Sequence, residues 1–241
     1  MNPAVVDVLG HSVAVISLED AISWTIERSR STLPAALVVT LNPEIVVQAR
    51  ADQAFAAALA SAELTVADGV GVLWAARRAG HALPGRVPGV ELATGVLQQA
   101  GPDLRVFFLG AKPGVAERAA ANAASNWGTN VVGHAHGYFD RQAEAAQVAK
   151  KVADSGAQLL LGGLGEGQER FLLEHMQAMG VRVAIGVGGT LDVIAGEVER
   201  TPAWTRSLGI EWLWRVGTDR RRWHRFPRLI SFARLVLAGR R

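Results

Sequence analysis

The stretch Arg105-Val106-Phe107-Phe108-Leu109-Gly110-Ala111-Lys112-Pro113-Gly114 joins an apolar run to a glycine-rich turn, and an alanine-rich helical segment follows it. An apolar run without polar alternation suits a strand that is buried on both faces. Four further runs have the same form, at residues 36–39, 64–67, 159–161 and 183–185. Alternation of such strands with helices predicts a parallel sheet with right-handed crossovers. We therefore predict an α/β fold, a Rossmann-like parallel sheet with flanking helices and a basic C-terminal helical appendage.

The chain divides by composition near Thr201. Its 241 residues, 49% of them hydrophobic, are enough for one sizeable core. Four of the seven tryptophans follow the division, at Trp204, Trp212, Trp214 and Trp223. We predict a Rossmann-like core over residues 1–200 and a Trp- and Arg-rich, membrane-associating appendage over residues 201–241.

Charge is spread unevenly between these two parts. From residue 220 to the C-terminus there is no carboxylate and there are eight arginines, namely Arg220, Arg221, Arg222, Arg225, Arg228, Arg234, Arg240 and Arg241. The remainder holds 17 basic and 22 acidic residues, so it carries −5 and the tail carries +8. A block of one sign indicates an anionic partner, either a membrane face or nucleic acid.

The tail also has a helical pattern, since Phe226, Ile230, Ala233 and Leu237 share one face. Tryptophan with arginine is typical of an interfacial helix. The alternative is a helix packed on the body with a solvated basic face. The tail could also dock on a neighbouring subunit, so a homo-oligomer stays open.

The absence of cysteine excludes disulfides and thiolate metal sites, which is compatible with the cytoplasm. Residues 1–10 lack the pattern of a secretory signal, and no apolar run approaches the ~18 residues that a membrane-spanning helix needs. We expect a soluble body.

Polar residues follow the predicted strands, and in a parallel sheet the ligand binds at that edge. The candidates are Thr40, Asn42, Asp68, Lys112, Gln168 and Asp192. The Thr40 hydroxyl and the Asn42 amide suit a sugar or nucleobase, or else they form a turn or cap before Pro43. Asp68 is placed to remove a proton from an attacking hydroxyl, or else to cap the next helix.

Glycine-rich turns offer backbone N–H groups to phosphate, and the turn at residues 110–114 adds the Lys112 ammonium. The runs at 163–167 and 186–189 permit close backbone approach, but neither is a full G-x-G-x-x-G fingerprint. A nicotinamide-dependent oxidoreductase would need that fingerprint, so we keep it only as a weak alternative.

The chain contains no Asp-x-Asp sequence, whose two carboxylates could hold a divalent ion on a bound diphosphate. His134 and His136 are better explained as surface or hydrogen-bonding residues than as metal ligands. We predict neither metal nor cofactor. Helix N-termini and arginines would then neutralise a diphosphate.

Taken together, these segments resemble the WecG/TagA/CpsF family of bacterial glycosyltransferases (glycosyltransferase family 26) over roughly residues 10–226. The ordered motifs are Thr40-x-Asn42, Asp68-Gly69, Arg86-Val87-Pro88-Gly89, Phe107-Phe108-Leu109-Gly110 with Pro113-Gly114-Val115-Ala116, Gly137-Tyr138-Phe139, Gly163-Leu164-Gly165 with Gln168-Glu169, Gly186-Val187-Gly188-Gly189 with Asp192 and Gly196, Arg200 with Pro202 and Trp204, Gly209-Ile210-Glu211-Trp212, and Arg215. The family's Gly-Leu-Gly-x-Pro-Lys-Gln-Glu is one residue short here, so its lysine is absent and the loop must turn differently.

The resemblance implies a metal-independent, inverting transferase. Its donor would be a UDP-sugar carrying N-acetylmannosamine, its uronic acid or a related hexose. Its acceptor would be a sugar on undecaprenyl diphosphate, in cell-surface polysaccharide or teichoic-acid biosynthesis. The enzyme would be cytoplasmic and peripheral on the inner face of the plasma membrane.

By position the resemblance implies catalytic roles for Asp68 as the base, and for Thr40 and Gln168. It implies substrate contacts from Asn42, Gly69, Gly110, Gly163, Gly165, Glu169, Gly188, Asp192 and the appendage arginines Arg215, Arg222 and Arg225. A non-enzymatic nucleic-acid binder remains an alternative because of the basic tail. The acidic body and the lack of a nucleic-acid module argue against it, and we expect no nucleic-acid partner.

Overall fold

A computed structural model describes residues 3–198 and 226–239. Six parallel strands form the central sheet, in the order β4-β3-β8-β7-β5-β6. The strands of this sheet are β3 (Ala36–Leu41), β4 (Leu64–Ala67), β5 (Val106–Gly110), β6 (Val131–Ala135), β7 (Leu159–Gly163) and β8 (Val183–Gly186). The predicted α/β fold with a parallel sheet is confirmed.

Helices cover both faces of the sheet, because neighbouring side chains along each buried strand point to opposite sides. Val38 and Phe108 face one layer, and Leu37 and Phe107 face the other. The first layer consists of α1 (Leu18–Arg30), α5 (Gly89–Ala100), α6 (Val115–Trp127) and α9 (Thr190–Ile194). The second consists of α2 (Pro43–Ala51), α3 (Gln53–Ala60), α4 (Val70–Arg78), α7 (Ala145–Asp154), α8 (Gln168–His175) and α10 (Phe226–Leu237).

Three strands were not predicted from the sequence. An antiparallel hairpin of β1 (Val5–Val8) and β2 (His11–Ala14) precedes the sheet. The third is β6, at the sheet edge, where every residue is only half-buried. A short 3-10 turn, Gly101–Asp103, leads into β5. These strands lack a long apolar run because none of them is buried on both faces.

The C-terminal helix α10 packs on the body, chiefly along α2. Phe232 and Val236 are its buried side chains, at 3% and 2% exposure. Burying an apolar side chain of that size contributes about 1.5–3 kcal/mol. The four residues predicted to share a face include Phe226, Ile230 and Leu237, which all stay exposed. The helix therefore docks through a neighbouring stripe, and its predicted apolar face looks into solvent.

The described part of the chain contains no helix that is long and apolar enough to cross a membrane. The predicted division at residue 200 and most of the appendage fall outside residues 3–198 and 226–239. The proposed domain boundary stays a prediction.

Candidate active site

The turns that follow the parallel strands meet at one edge of the sheet, and they enclose an open cleft of about 480 Å³. The cleft lies beyond the ends of β5, β6 and β7. Its lining comprises Ala111, Lys112, Gly137, Tyr138, Gly163, Leu164, Gly165 and Asp192. Three predicted substrate contacts are thereby brought together, namely Gly163, Gly165 and Asp192.

The floor of the cleft is a close contact between the ends of β5 and β7. The Ala111 N–H donates to the Gly163 carbonyl at 3.0 Å, and the Gly137 N–H donates to the Ala111 carbonyl at 2.8 Å. A Cβ on Gly110, whose φ is +147°, would lie 2.4 Å from the Gly163 oxygen. Gly110 is buried in this contact. Its glycine is required for packing, and the predicted role in touching the ligand is better assigned to the exposed residues around it.

One wall of the cleft offers positive charge. Lys112 lines the cleft in the turn before α6, and Gly114 is the N-cap of that 13-residue helix. The first N–H groups of a helix have no intrahelical acceptor and carry the positive end of its dipole. A phosphate group at this wall would meet both the ammonium and the helix N-terminus.

An arginine from the segment after β6 holds the loop between β7 and α8, which lacks the Pro-Lys pair that the resemblance led us to expect. Arg141 donates to the carbonyl oxygen of Glu166 at 2.9 Å and to that of Leu164. From α10, the Arg228 guanidinium binds the Glu166 carboxylate at 2.9 Å. The loop that lines the cleft is thus fixed by two cations from distant parts of the chain.

Gln168 and Glu169 lie beneath this loop and are almost fully buried, at 6% and 3% exposure. The Gln168 Oε1 accepts from the Leu164 N–H at 3.2 Å, and its Nε2 donates to the Glu169 Oε1 at 2.9 Å. Burial raises the pKa of the Glu169 carboxyl group, and the bond from Gln168 partly offsets that shift. Gln168 thus braces the loop at Leu164, and Glu169 holds the Gln168 amide in place.

Thr40 and Asn42 also use polar atoms within the protein. The Thr40 hydroxyl donates to the Gly186 carbonyl at 3.3 Å, which links β3 to β8. The Asn42 Oδ1 accepts from the N–H groups of Glu44 and Ile45, at 3.0 and 3.1 Å, and caps α2. The cap interpretation of Asn42 is therefore correct, and any contact with a sugar would use its Nδ2.

Asp68 follows β4 at the opposite end of the same edge and is half-buried. Its N–H donates to the Leu41 carbonyl at 2.8 Å, which continues the pairing of β3 with β4 past the strand end. The N-cap of α4 is Gly69, with φ +92°, so the alternative interpretation of Asp68 as that cap is wrong. A side chain at residue 69 would be strained in this conformation. Glycine at this position therefore allows the turn that joins Asp68 to α4.

The remaining candidates divide into two groups. Gly188 lies half-buried in the turn after β8, whose next helix carries Asp192. Arg215, Arg222 and Arg225 lie outside the described residues, and their roles stay predictions.

Sequence reasoning missed two contributors to the site. Tyr138 stands at the cleft mouth with 66% of its surface exposed, and Arg141 clamps the loop opposite. Both follow β6, which carries no strong strand pattern. The signal for Tyr138 was present, since an exposed aromatic follows a glycine in the quoted Gly137-Tyr138-Phe139 motif.

Comparison with known proteins identifies the family. The model of the glycosyl transferase WecG/TagA/CpsF family matches residues 6–241. The chain belongs to this family. Membership in the WecG/TagA/CpsF glycosyltransferases replaces both alternatives from the sequence, the nicotinamide-dependent oxidoreductase and the non-enzymatic nucleic-acid binder.

Two relatives of this WecG/TagA/CpsF glycosyltransferase carry the same name. It is 34% identical over 236 residues to the N-acetylglucosaminyldiphosphoundecaprenol N-acetyl-beta-D-mannosaminyltransferase of Staphylococcus aureus strain MRSA252, covering 95% of this chain and 90% of that protein. It is 32% identical over 209 residues to the protein of the same name from Bacillus spizizenii, covering 86% of this chain and 80% of that protein.

Proposed function

We propose that this glycosyltransferase moves an N-acetylmannosamine-type sugar from UDP to N-acetylglucosamine on undecaprenyl diphosphate. The proposal rests on one observation, namely that an open cleft and Asp68 lie along the same edge of the sheet. The names of the relatives supply the acceptor and the sugar. We infer a UDP-linked donor because the cleft combines an aromatic face, a carboxylate and a cationic wall.

The nucleotide would occupy the cleft between β5, β6 and β7. Tyr138 supplies an exposed ring on which a uracil base can stack. Asp192 supplies a carboxylate that can accept hydrogen bonds from ribose hydroxyls. Lys112 and the N-terminus of α6 would receive the diphosphate.

The donor sugar would then extend along the edge towards Asp68. In the strand order β4-β3-β8-β7-β5, the ends of β5 and β4 are four strand spacings apart, about 19 Å. The Lys112 side chain, the diphosphate with its bond to the anomeric carbon, and the acceptor hydroxyl next to the Asp68 carboxylate would together bridge a comparable distance. The anomeric carbon would therefore lie between Lys112 and Asp68, on the side of the diphosphate that faces Asn42 and Asp68.

The chemistry follows from that arrangement. Asp68 takes the proton of the acceptor hydroxyl while the hydroxyl oxygen attacks the anomeric carbon. The bond from that carbon to the UDP oxygen breaks, and both its electrons leave with UDP. Attack opposite the leaving group inverts the anomeric configuration. We propose that Lys112, together with Arg215, Arg222 and Arg225, stabilises the departing diphosphate without a metal ion.

The acceptor lipid requires the enzyme to meet a membrane, and α10 offers a suitable surface. Phe226, Ile230 and Leu237 are exposed at 47%, 43% and 63%, with Arg234 exposed on the same helix. Aromatic and aliphatic groups flanked by arginine suit an anionic bilayer surface. We propose peripheral association with the inner face of the plasma membrane through this helix.

A donor panel tests the proposal. Purified full-length protein would be incubated with individual UDP-sugars and a short-chain, water-soluble N-acetylglucosamine diphosphate lipid. We expect UDP release that requires both substrates, with UDP-N-acetylmannosamine the best donor. The assignment would be overturned if UDP release were equal with and without acceptor. It would also be overturned if none of the UDP-sugars in the panel gave any release.

A further inference from the structure

Helix α4 lies beside α10 and presents a second basic surface. Residues 69–90 contain no carboxylate, although the chain has 22 of them, and they include Arg77, Arg78 and Arg86. Trp74, on α4, leaves 39% of its surface exposed. Arg77 and Arg78 are exposed on the last turn of the same helix, and neither forms an ion pair with any part of the chain that the structure describes.

The two helices meet at a defined point. A Cβ on Gly71 would lie 3.3 Å from the Phe232 Cε1 atom, so the ring of Phe232 covers the first turn of α4. On a helix, positions three and seven residues further on follow on the same side. Trp74 and Arg78 occupy those positions. They continue along α4 the stripe that α10 touches at Gly71.

Charge around this surface favours an anionic partner. The strand beside α4 is β1, and its one carboxylate, Asp7, accepts from the Gly10 N–H in the hairpin turn. The exposed face of α4 itself carries two arginines and no acid. A partly exposed tryptophan next to arginines is the composition found where proteins enter the headgroup region of a bilayer.

We propose that Trp74, Arg77 and Arg78 form a second membrane contact, on the enzyme body, which continues the surface of α10 across an anionic bilayer. This inference rests on the proposed function, since the lipid-linked acceptor brings the enzyme to the membrane. A contact on two helices defines how the body is oriented at the bilayer, which a single helix at the end of the chain cannot do. The occupant is the lipid surface itself.

The test measures sedimentation of full-length protein with vesicles, of phosphatidylcholine alone or with phosphatidylglycerol added. We expect Trp74→Ala to lower the partition coefficient on anionic vesicles ~3–10-fold, through lost insertion. The double variant Arg77→Glu/Arg78→Glu should lower it at least ~10-fold, because two attractions become repulsions. On phosphatidylcholine alone, the charge variant should bind as the wild type does.

Matched controls make the same changes elsewhere. Lys150→Glu/Lys151→Glu reverses two exposed charges on α7, and Leu33→Ala removes a side chain that is 57% exposed before β3. Both should bind anionic vesicles within ~2-fold of wild type. Wild-type binding by both α4 variants would overturn the proposal, as would equal losses in the controls. A change in oligomeric state without a change in vesicle binding would also overturn it, by making α4 a protein interface.

Activity on the water-soluble acceptor separates this inference from the proposed function. The α4 variants should release UDP at the wild-type rate with that acceptor, because Trp74, Arg77 and Arg78 lie outside the cleft. Loss of that activity would show that the substitutions damage the enzyme and would remove the membrane interpretation. If wild type itself fails to release UDP, the proposed function falls while the vesicle measurement still decides the role of α4.

Discussion

The Arg228 guanidinium on α10 lies 2.9 Å from the Glu166 carboxylate, in the loop that lines the cleft. The two side chains are 36% and 62% exposed, so the pair contributes at most about 1 kcal/mol to stability. Its larger effect is positional, because it ties the C-terminal helix to the loop that lines the cleft. Contact of α10 with a membrane would thereby act directly on that loop.

We predict that Arg228→Ala raises the KM for the UDP-sugar about 2–5-fold and leaves thermal stability nearly unchanged. The charge swap Glu166→Arg with Arg228→Glu should restore most of the affinity. Arg170→Ala, which breaks an exposed pair with Glu174 on α8, is the control and should leave KM unaltered. Failure of the swap to recover any affinity would show that the pair does not position the loop.

Tyr138 gives the second prediction, since its ring can support a base only by stacking. Tyr138→Ala should weaken UDP binding by ~1–3 kcal/mol, and Tyr138→Phe should keep most of it. Titration calorimetry with UDP measures both. Equal losses for Ala and Phe would indicate that the hydroxyl, and not the ring face, binds the nucleotide.

Replacing the Asp68 carboxylate with an amide tests its proposed role as the base. Asp68→Asn keeps the size of the side chain and removes the base, so turnover should fall ~10²–10⁴-fold while UDP affinity stays near wild type. Single-turnover assays with saturating donor and acceptor separate the chemical step from binding. A variant that retains most of its turnover would require another base.

Because Glu169 is buried, its contribution to the free energy of unfolding should fall as the pH rises. Its carboxyl group has a raised pKa in the folded protein, above the ordinary value of 4.5. The folded state therefore holds that proton in a range where the unfolded state has lost it, and this contribution to the free energy of unfolding falls as pH rises from 4.5 towards the raised value. Glu169→Gln should flatten the fall. Urea unfolding of both proteins across that range measures it, and parallel curves would contradict the assignment.

Chelation tests the proposed metal independence. Because Lys112, the N-terminus of α6 and arginines are proposed to hold the diphosphate, EDTA should leave UDP release within ~2-fold of its untreated rate. Activity that EDTA removes and Mg²⁺ or Mn²⁺ restores would replace the cationic wall with a metal ion in the proposed mechanism.

The fold was predictable from runs that are buried on both faces, since these alone read as continuous apolar sequence. β3, β4, β5, β7 and β8 all begin and end within about two residues of the predicted runs. The edge strand β6 escaped because its half-buried residues include Gly133 and His134. The turn after it, with Tyr138, was therefore never placed at the sheet edge.

Individual roles in the site were less predictable, because they depend on contacts across the fold. Nothing local distinguishes Gly110, which packs against a backbone oxygen, from Gly165, which lines the cleft. The sequence places Gln168 among the candidates at the sheet edge, and only the structure reveals that both ends of its amide are bonded within the protein. Arg141 had no motif at all, since its two acceptors are carbonyl oxygens more than 20 residues away.

The contact between Gly110 and Gly163 also determines where this enzyme can be redesigned. Any side chain at residue 110 would collide with the neighbouring backbone, so this position must stay glycine. Tyr138 and Lys112 line the cleft from exposed positions in turns, and we expect that exchanging them leaves the strands in place. A library intended to alter nucleotide preference is therefore best concentrated on the rim, with the paired glycines held constant.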